Sequence, residues 1–272
     1  MVANPVSGDE ATRDLGNGVL MPVLGLGVWQ MSRGTETEQA VEWALEAGYR
    51  HIDTATAYKN EQSVGAAIAR SGIAREELFV TTKWLPITRR PTVELARSLE
   101  RFGLDYVDLY LIHWPFPARS NRAWLELASL REQGRARAIG VSNYGTERLT
   151  KLIGQGGPAA AVDQVQFNPF HFRERLLRFC AQQRVVLEAY SPLDRGRGLG
   201  HPTIVDIARR VERTSAQVML RWAVQHGAVV IPKSIRQDRI RSNAEIFDFT
   251  LGAEDMRALD GLDRTSRTGK AR

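Results

Sequence analysis

Asp53 and Tyr58 stand five residues apart in the stretch His51-Ile-Asp-Thr-Ala-Thr-Ala-Tyr58. A short apolar segment ends in the carboxylate, and the phenol follows in a loop. An acid and a phenol placed this way serve either as turn residues or as two members of a site that moves protons. The same arrangement, an apolar run closed by a polar group, recurs along the chain. It ends in turn at Lys83, His113, Ser142 with Asn143, Gln164, Tyr190 with Ser191, and Lys233 with Ser234. Only five of the 37 basic residues are lysines, yet two of the five fall at such ends. One polar strand cap needs no explanation; a full set of them at one end of the strands does.

The elements that must carry these groups alternate. Strand-like runs are expected at 23–28, 51–53, 78–83, 107–113, 136–142, 161–166, 185–190 and 228–232, with amphipathic helical stretches between them. In the first helix Ala40, Val41, Ala44, Leu45 and Ala47 form one apolar stripe. Thr35 and Glu38 suggest a capping box there, and Gly48 a stop. Gly72, Gly103, Gly134 and Gly227 close later helices just before the next strand. Eight strands in strict alternation, in a chain of 272 residues, predict a (β/α)8 TIM barrel. The segment 15–22 predicts a tight β-hairpin around Asn17-Gly18 that covers the barrel bottom. No Pro/Ser-rich linker divides the chain, so residues 1–272 are expected to form a single domain, with 1–14 and 263–272 as flexible ends. In such a barrel the strand C-termini gather at one face, where active sites lie.

Bulk properties exclude several classes. The net charge is +6 and the pI about 9.8, but the charge is scattered without a basic run, so no nucleic-acid partner is expected. The single cysteine, Cys180, lies at helical spacing with Leu176 and Leu177 and reads as a small buried hydrophobe. No run of 18 apolar residues and no apolar leader occurs, so a cytoplasmic protein without membrane contact is expected. His171, His201 and His226 lack metal-like spacing, and no metal is expected. "GLGVWQ" (25–30) imitates the start of a dinucleotide fingerprint, with Asp53 as its acid. Its third glycine position holds Gln30, and the eight-unit count argues against an open sheet.

The pieces "GYRHIDTATAY", "LFVTTKW", "VDLYLIHWP", "IGVSNY", "VDQVQFNP", "AYSPL" and "VIPKSIRQDRIRSN" resemble, in order, the motifs of the aldo-keto reductases, over residues 15 to about 262. The short loops and tail look like the bacterial branch similar to 2,5-diketo-gluconate reductases. The resemblance implies Asp53, Tyr58, Lys83 and His113 as the catalytic four of an NADPH-dependent reductase of small aldehydes, ketones or keto sugars. Tyr58 would be the general acid and Lys83 the cation that lowers its pKa. Asp53 would hold Lys83, and His113 would steer the carbonyl oxygen.

The cofactor, NADPH, is implied at Ser142, Asn143 and Gln164 (carboxamide), Tyr190 (ring stacking), Ser191 and Leu193 (pyrophosphate), Lys233, Ser234 and Arg239 (2′-phosphate) and Asn243 (adenine). Ser242 departs from the Glu that relatives often carry. Trp29, Trp84 and Trp114, with His113, would wall the substrate pocket, and Phe116 could line its mouth. Arg89, Arg90, Arg119 and Arg122 either attract anionic substrates or are ordinary solvated surface. A monomer acting on a small carbonyl compound is expected. Two other readings remain open: a Schiff-base enzyme using Lys83 or Lys233, and an NADPH-binding barrel that acts as a sensor or partner subunit without significant turnover.

Overall fold

The computed structural model describes residues 11–16, 18–115 and 120–265. Asn17, Phe116, Arg119 and the outer parts of both expected flexible ends lie outside the described residues. Two short strands come first, β1 (Thr12–Asp14) and β2 (Leu20–Pro22), paired antiparallel as a hairpin. There follow β3 (Gly25–Gly27), α1 (Thr35–Glu46), β4 (His51–Asp53), α2 (Glu61–Ser71), β5 (Phe79–Trp84) and α3 (Pro91–Phe102). Next come β6 (Val107–Ile112), α4 (Ser120–Glu132), β7 (Ala136–Ser142), α5 (Thr146–Gly154), β8 (Val162–Gln166) and α6 (Glu174–Gln182). The last part holds β9 (Val186–Tyr190), α7 (Pro202–Arg210), α8 (Ser215–Gln225), β10 (Val229–Val230), α9 (Gln237–Ala244) and α10 (Ala253–Asp260).

Strands β3 to β10 pair in sequence order, all parallel. A bridge between Leu24 and Val230 brings the first strand to the last. Val230 N donates to Val23 O at 2.8 Å and Gly27 N to Pro232 O at 3.2 Å, closing the ring. The fold is the (β/α)8 barrel expected from the alternation, and every one of the eight strands falls within a residue or so of its predicted run, except that β3 and β10 are shorter. On the hairpin, Leu15, Val19 and Met21 pack with Phe79, Leu109, Leu111, Val162 and Val229 in a separate apolar cluster. Phe79, Val162 and Val229 open their strands, so the hairpin seals the N-terminal end of the barrel.

Local expectations fare unevenly. The five glycines read as helix stops all adopt positive φ. The Thr35/Glu38 capping box does not form. Gly34, at φ 86°, precedes the helix, so Thr35 is already its first residue. Ser32 instead closes the end, its N–H donating to Glu36 and its carbonyl accepting from Thr37 Oγ1, each at 2.6 Å. A capping box does form at α8, between Thr214 and Gln217. Helices α7, α9 and α10 were not anticipated. Among the described residues no helix is long and apolar enough to cross a membrane.

The helix ring packs tightly where α2 meets α3. A Cβ on Gly65 would lie 2.1 Å from Phe102 O and 2.6 Å from Phe102 Cα, contacts with backbone that no rotamer relieves. Gly65→Ala is therefore expected to lower unfolding stability by about 2–3 kcal/mol, measured by urea denaturation. Gly154, with open space around its Cβ position, serves as the control: Gly154→Ala should be neutral or stabilising by about 0.5–1 kcal/mol.

Candidate active site

The four residues expected to be catalytic meet at the C-terminal mouth of the barrel. Asp53 ends β4, Lys83 lies one residue from the end of β5, and His113 follows β6, its N–H extending the ladder to Trp84 O at 2.9 Å. Side chains two apart on a strand share a face. With Asp53 in register with Thr81, Lys83 reaches the same interior as Asp53. Lys83 Nζ donates to Asp53 Oδ1 at 2.6 Å, to Oδ2 at 2.7 Å and to Thr54 O at 2.9 Å. Lys83 has no solvent exposure and Asp53 only 2%.

Tyr58 arrives on a 3-10 turn, Thr56–Tyr58, after β4. Asn60 pins that turn, accepting from Thr54 Oγ1 at 2.8 Å and donating to Val28 O at 2.9 Å. The Lys83 ammonium lies 5.1 Å from the centre of the Tyr58 ring. The His113 ring sits edge-on to the same phenol, 5.6 Å between centroids.

Burial dominates the electrostatics. It works against the Lys83 ammonium, but the charge and hydrogen bonds of Asp53 lead the effects that outweigh it and leave the pKa above the ordinary value. Burial pushes the Asp53 carboxyl up, and Lys83 and Gln164 pull it back only in part. His113 is pushed down to about 3 by burial and then by Lys83, so its imidazole is neutral. For Tyr58 the expected direction is reversed. Lys83 does pull the phenol down, and Asp53 does oppose it, but burial is the larger effect and the phenol stands above its ordinary value. A buried, tightly held ammonium of raised pKa is the opposite of an amine nucleophile, which disfavours Lys83 as a Schiff-base lysine.

The residues expected around a carboxamide form one cluster. Ser142 Oγ donates to Gln164 O at 2.8 Å and accepts from Asn143 Nδ2 at 3.0 Å. Asn143 Nδ2 also donates to His113 O at 3.2 Å, and Asn143 Oδ1 accepts from Tyr190 OH at 2.8 Å. Gln164 Nε2 donates inward, to Asp53 Oδ2 and to Glu188 Oε2, both at 2.8 Å. Ser191 and Leu193 lie in the loop after β9, where Ser191 takes φ 48° and its carbonyl accepts from Asn168 Nδ2. Beyond β10, Lys233 is exposed and Ser234 nearly buried, its Oγ accepting from Arg236 N. Arg239 and Asn243 belong to α9, the first exposed and the second buried.

The three tryptophans diverge. Trp29 is 38% exposed, with the Arg195 guanidinium 4.8 Å above its ring, and Trp114 is 49% exposed beside His113. Trp84 is only 2% exposed and packs in the main core, its indole N–H donating to Arg89 O at 2.7 Å. It is not brought to the surface of the mouth. Arg90 and Arg122 both pair with Glu126, as ordinary surface arginines do. Glu188 and Thr54, both in contact with the central groups, were not singled out in the sequence. The available signal was a lone carboxylate inside the apolar run "VVLEAY".

Known proteins resemble this chain over nearly its whole length. The model of the Aldo/keto reductase family matches residues 23–264. The chain is 46% identical to the glyoxal reductase of Bacillus subtilis (strain 168) over 261 residues, 95% of each chain. It is 45% identical to the methylglyoxal reductase DkgA of Yersinia pestis over 258 residues, 93% of each. Among solved structures, an aldo/keto reductase from Brucella melitensis superposes with a TM-score of 0.88 at 44% identity, covering 93% of this chain and 99% of that one. A Bombyx mori aldo-keto reductase in complex with NADP superposes at 0.86 and 34% identity, covering 93% and 92%. With a family model spanning most of its length and relatives this similar, the chain belongs to the aldo/keto reductase family.

Proposed function

We propose that this protein is an NADPH-dependent reductase of small aldehydes and ketones, with Tyr58 as the general acid. The observation that carries the reading is the convergence of one phenol, one ammonium fixed by a carboxylate, and one neutral imidazole at the barrel mouth. The names of the relatives point to glyoxal and methylglyoxal as the substrate class.

Carbonyl reduction adds a hydride at carbon and a proton at oxygen, and no side chain supplies the hydride; the reduced nicotinamide supplies it when bound. The chain's own residues handle the proton. Tyr58 gives its hydroxyl proton to the carbonyl oxygen, and the Lys83 ammonium stabilises the phenolate left behind. Asp53 and Thr54 fix Lys83 so that its charge cannot wander from the phenol. Neutral His113 keeps one ring N–H, and offering it to the same oxygen stabilises the developing negative charge.

The residues present fit the cofactor. Gln164 Oε1 has no protein partner among the described residues, and the exposed Lys233 and Arg239 have no acidic partner there. A guanidinium and an ammonium together suit a phosphate. Lys233, Ser234 and Arg239 would hold the 2′-phosphate and Asn243 the adenine. Ser191 and Leu193 would lie along the pyrophosphate. Tyr190 would back the nicotinamide, with Ser142, Asn143 and Gln164 at its carboxamide. Trp29, Trp114 and His113 would line the carbonyl pocket, with Trp84 behind them.

Three outcomes follow. Tyr58→Phe should lose about 10²–10⁴-fold in kcat while its Kd for NADPH, from fluorescence titration, stays within a few-fold of the parent; retained turnover would remove Tyr58 as the acid. Lys233→Met and Arg239→Leu should each raise the NADPH Kd by roughly tenfold or more and leave the NADH Kd unchanged. Equal losses for both cofactors would speak against a 2′-phosphate site.

The third outcome concerns pH. His113 protonates only near 3, and Tyr58 holds its proton to above its ordinary value. Neutral imidazole and protonated phenol, the reactive forms, thus coexist throughout the range from about pH 5 to 7.5, well inside the limits these two groups set. A profile of kcat/KM for methylglyoxal reduction should be flat across that window. An acid limb centred near 6.5 that disappears in His113→Gln would contradict it.

A further inference from the structure

Glu188 lies in the middle of β9, fully buried and facing into the barrel beneath the mouth. Its Oε2 accepts from Gln164 Nε2, and that same nitrogen donates to Asp53 Oδ2. A primary amide carries two N–H groups and one oxygen. Both N–H groups of Gln164 are thus committed to carboxyl oxygens inside the barrel. Turning the amide over would set its oxygen against the Asp53 carboxylate. Two bonds from one nitrogen also fix the amide plane, where a single bond would let it swing. Meanwhile Ser142 and Asn143 engage each other, His113, Tyr190 and the Gln164 backbone. In this cluster the amide oxygen without a partner among the described residues is Gln164 Oε1.

The charges around Glu188 are consistent with an uncharged acceptor. Facing it are Gln164 from β8, Asp53 and His51 from β4, and Lys83 from β5, with His51 Nε2 3.6 Å from Oε1. One cation serves two carboxyls. Burial, and then the Asp53 charge, push Glu188 up to about 8, so at neutral pH it keeps its proton. His51, pushed down to about 3 chiefly by burial, adds no positive charge.

We propose that Glu188 is a positioning residue that acts through Gln164: by taking one of its N–H groups, it fixes Gln164 Oε1 as an acceptor that selects a ligand carboxamide over a carboxylate. The role rests on the nicotinamide reading of the mouth. It goes beyond that reading in assigning to a side chain that touches neither cofactor nor substrate a share in the choice of cofactor.

The test compares the Kd for NADP+ with that for its nicotinic acid analogue, in the parent protein, Glu188→Gln and Glu188→Leu. The parent should prefer the carboxamide by about tenfold or more. Glu188→Leu, with no acceptor, lets the amide plane swing about its remaining Asp53 bond and should lower that preference several-fold without abolishing it. Glu188→Gln keeps an uncharged acceptor oxygen and should retain it. A merely structural role would lower the melting temperature of the variants and leave the ratio untouched. Equal affinity of the parent for both dinucleotides overturns the proposal without any variant. So does a folded Glu188→Leu that keeps the full preference, or a Glu188→Gln that loses as much as Glu188→Leu. A parent that binds neither dinucleotide overturns the nicotinamide reading and this role with it.

Discussion

A lysine ammonium with no access to water is the constraint around which the barrel mouth is arranged. Removing such an ion from water costs several kcal/mol, and it survives only with close partners of opposite charge and satisfied hydrogens. Lys83 has three donors and three acceptors, two of them on one carboxylate. Those partners come from the strand next door, so the pair exists only in the register that sets Asp53 beside Thr81. A shift of one residue in either strand would turn one charge outward, away from the other. The buried pair therefore penalises wrong pairings more than it stabilises the right one. It also places a fixed positive charge under the phenol. Asp53, Gln164 and Glu188 then extend the same interior layer across the barrel to β9.

The architecture was legible because its signals are repetitive. Eight apolar runs alternating with amphipathic stretches leave few folds open, and polar residues at the ends of seven of them mark the mouth. What escaped was of two kinds. Helices α7, α9 and α10 are short, with eight or nine residues each. Helices α9 and α10 carry many arginines or acids and only a weak stripe, whereas α7 does bury one, formed by Ile204, Ile207 and Ala208. Tyr49 OH donates to the carbonyl of Ile240 in α9 at 3.0 Å. The other misses depend on direction in space. Trp84 ends a strand like its neighbours at the mouth, but its ring turns into the packing, which spacing alone does not show. Glu188 falls at an inward position whose meaning appears only when Gln164 is set beside it. For Tyr58 the types were right and the balance was not, because the weight of burial against a nearby cation depends on depth.

The loops at the mouth bear the cost of holding these groups. Gln30, Lys59, Asn143, Ser191, Asp194 and Arg195 all adopt positive φ, at about 1–3 kcal/mol each for side chains that prefer otherwise. They lie after β3, β4, β7 and β9, among the residues read as binding or catalytic. The strand ends and buried side chains over-determine these turns. Lys59, for example, is caught between the 3-10 turn that presents Tyr58 and the anchored Asn60. Stability gained in the sheet is thus spent at its rim.

At the opposite rim, the hairpin side chains Leu15, Val19 and Met21 stopper the barrel. The barrel interior is filled by side chains, and with its bottom stoppered small molecules reach the strand ends through the C-terminal mouth. Any two molecules that meet there must share it, so the one seated deeper arrives first and departs last. The pace of the whole cycle can then be set by how long that deeper occupant lingers, however fast the bonds rearrange.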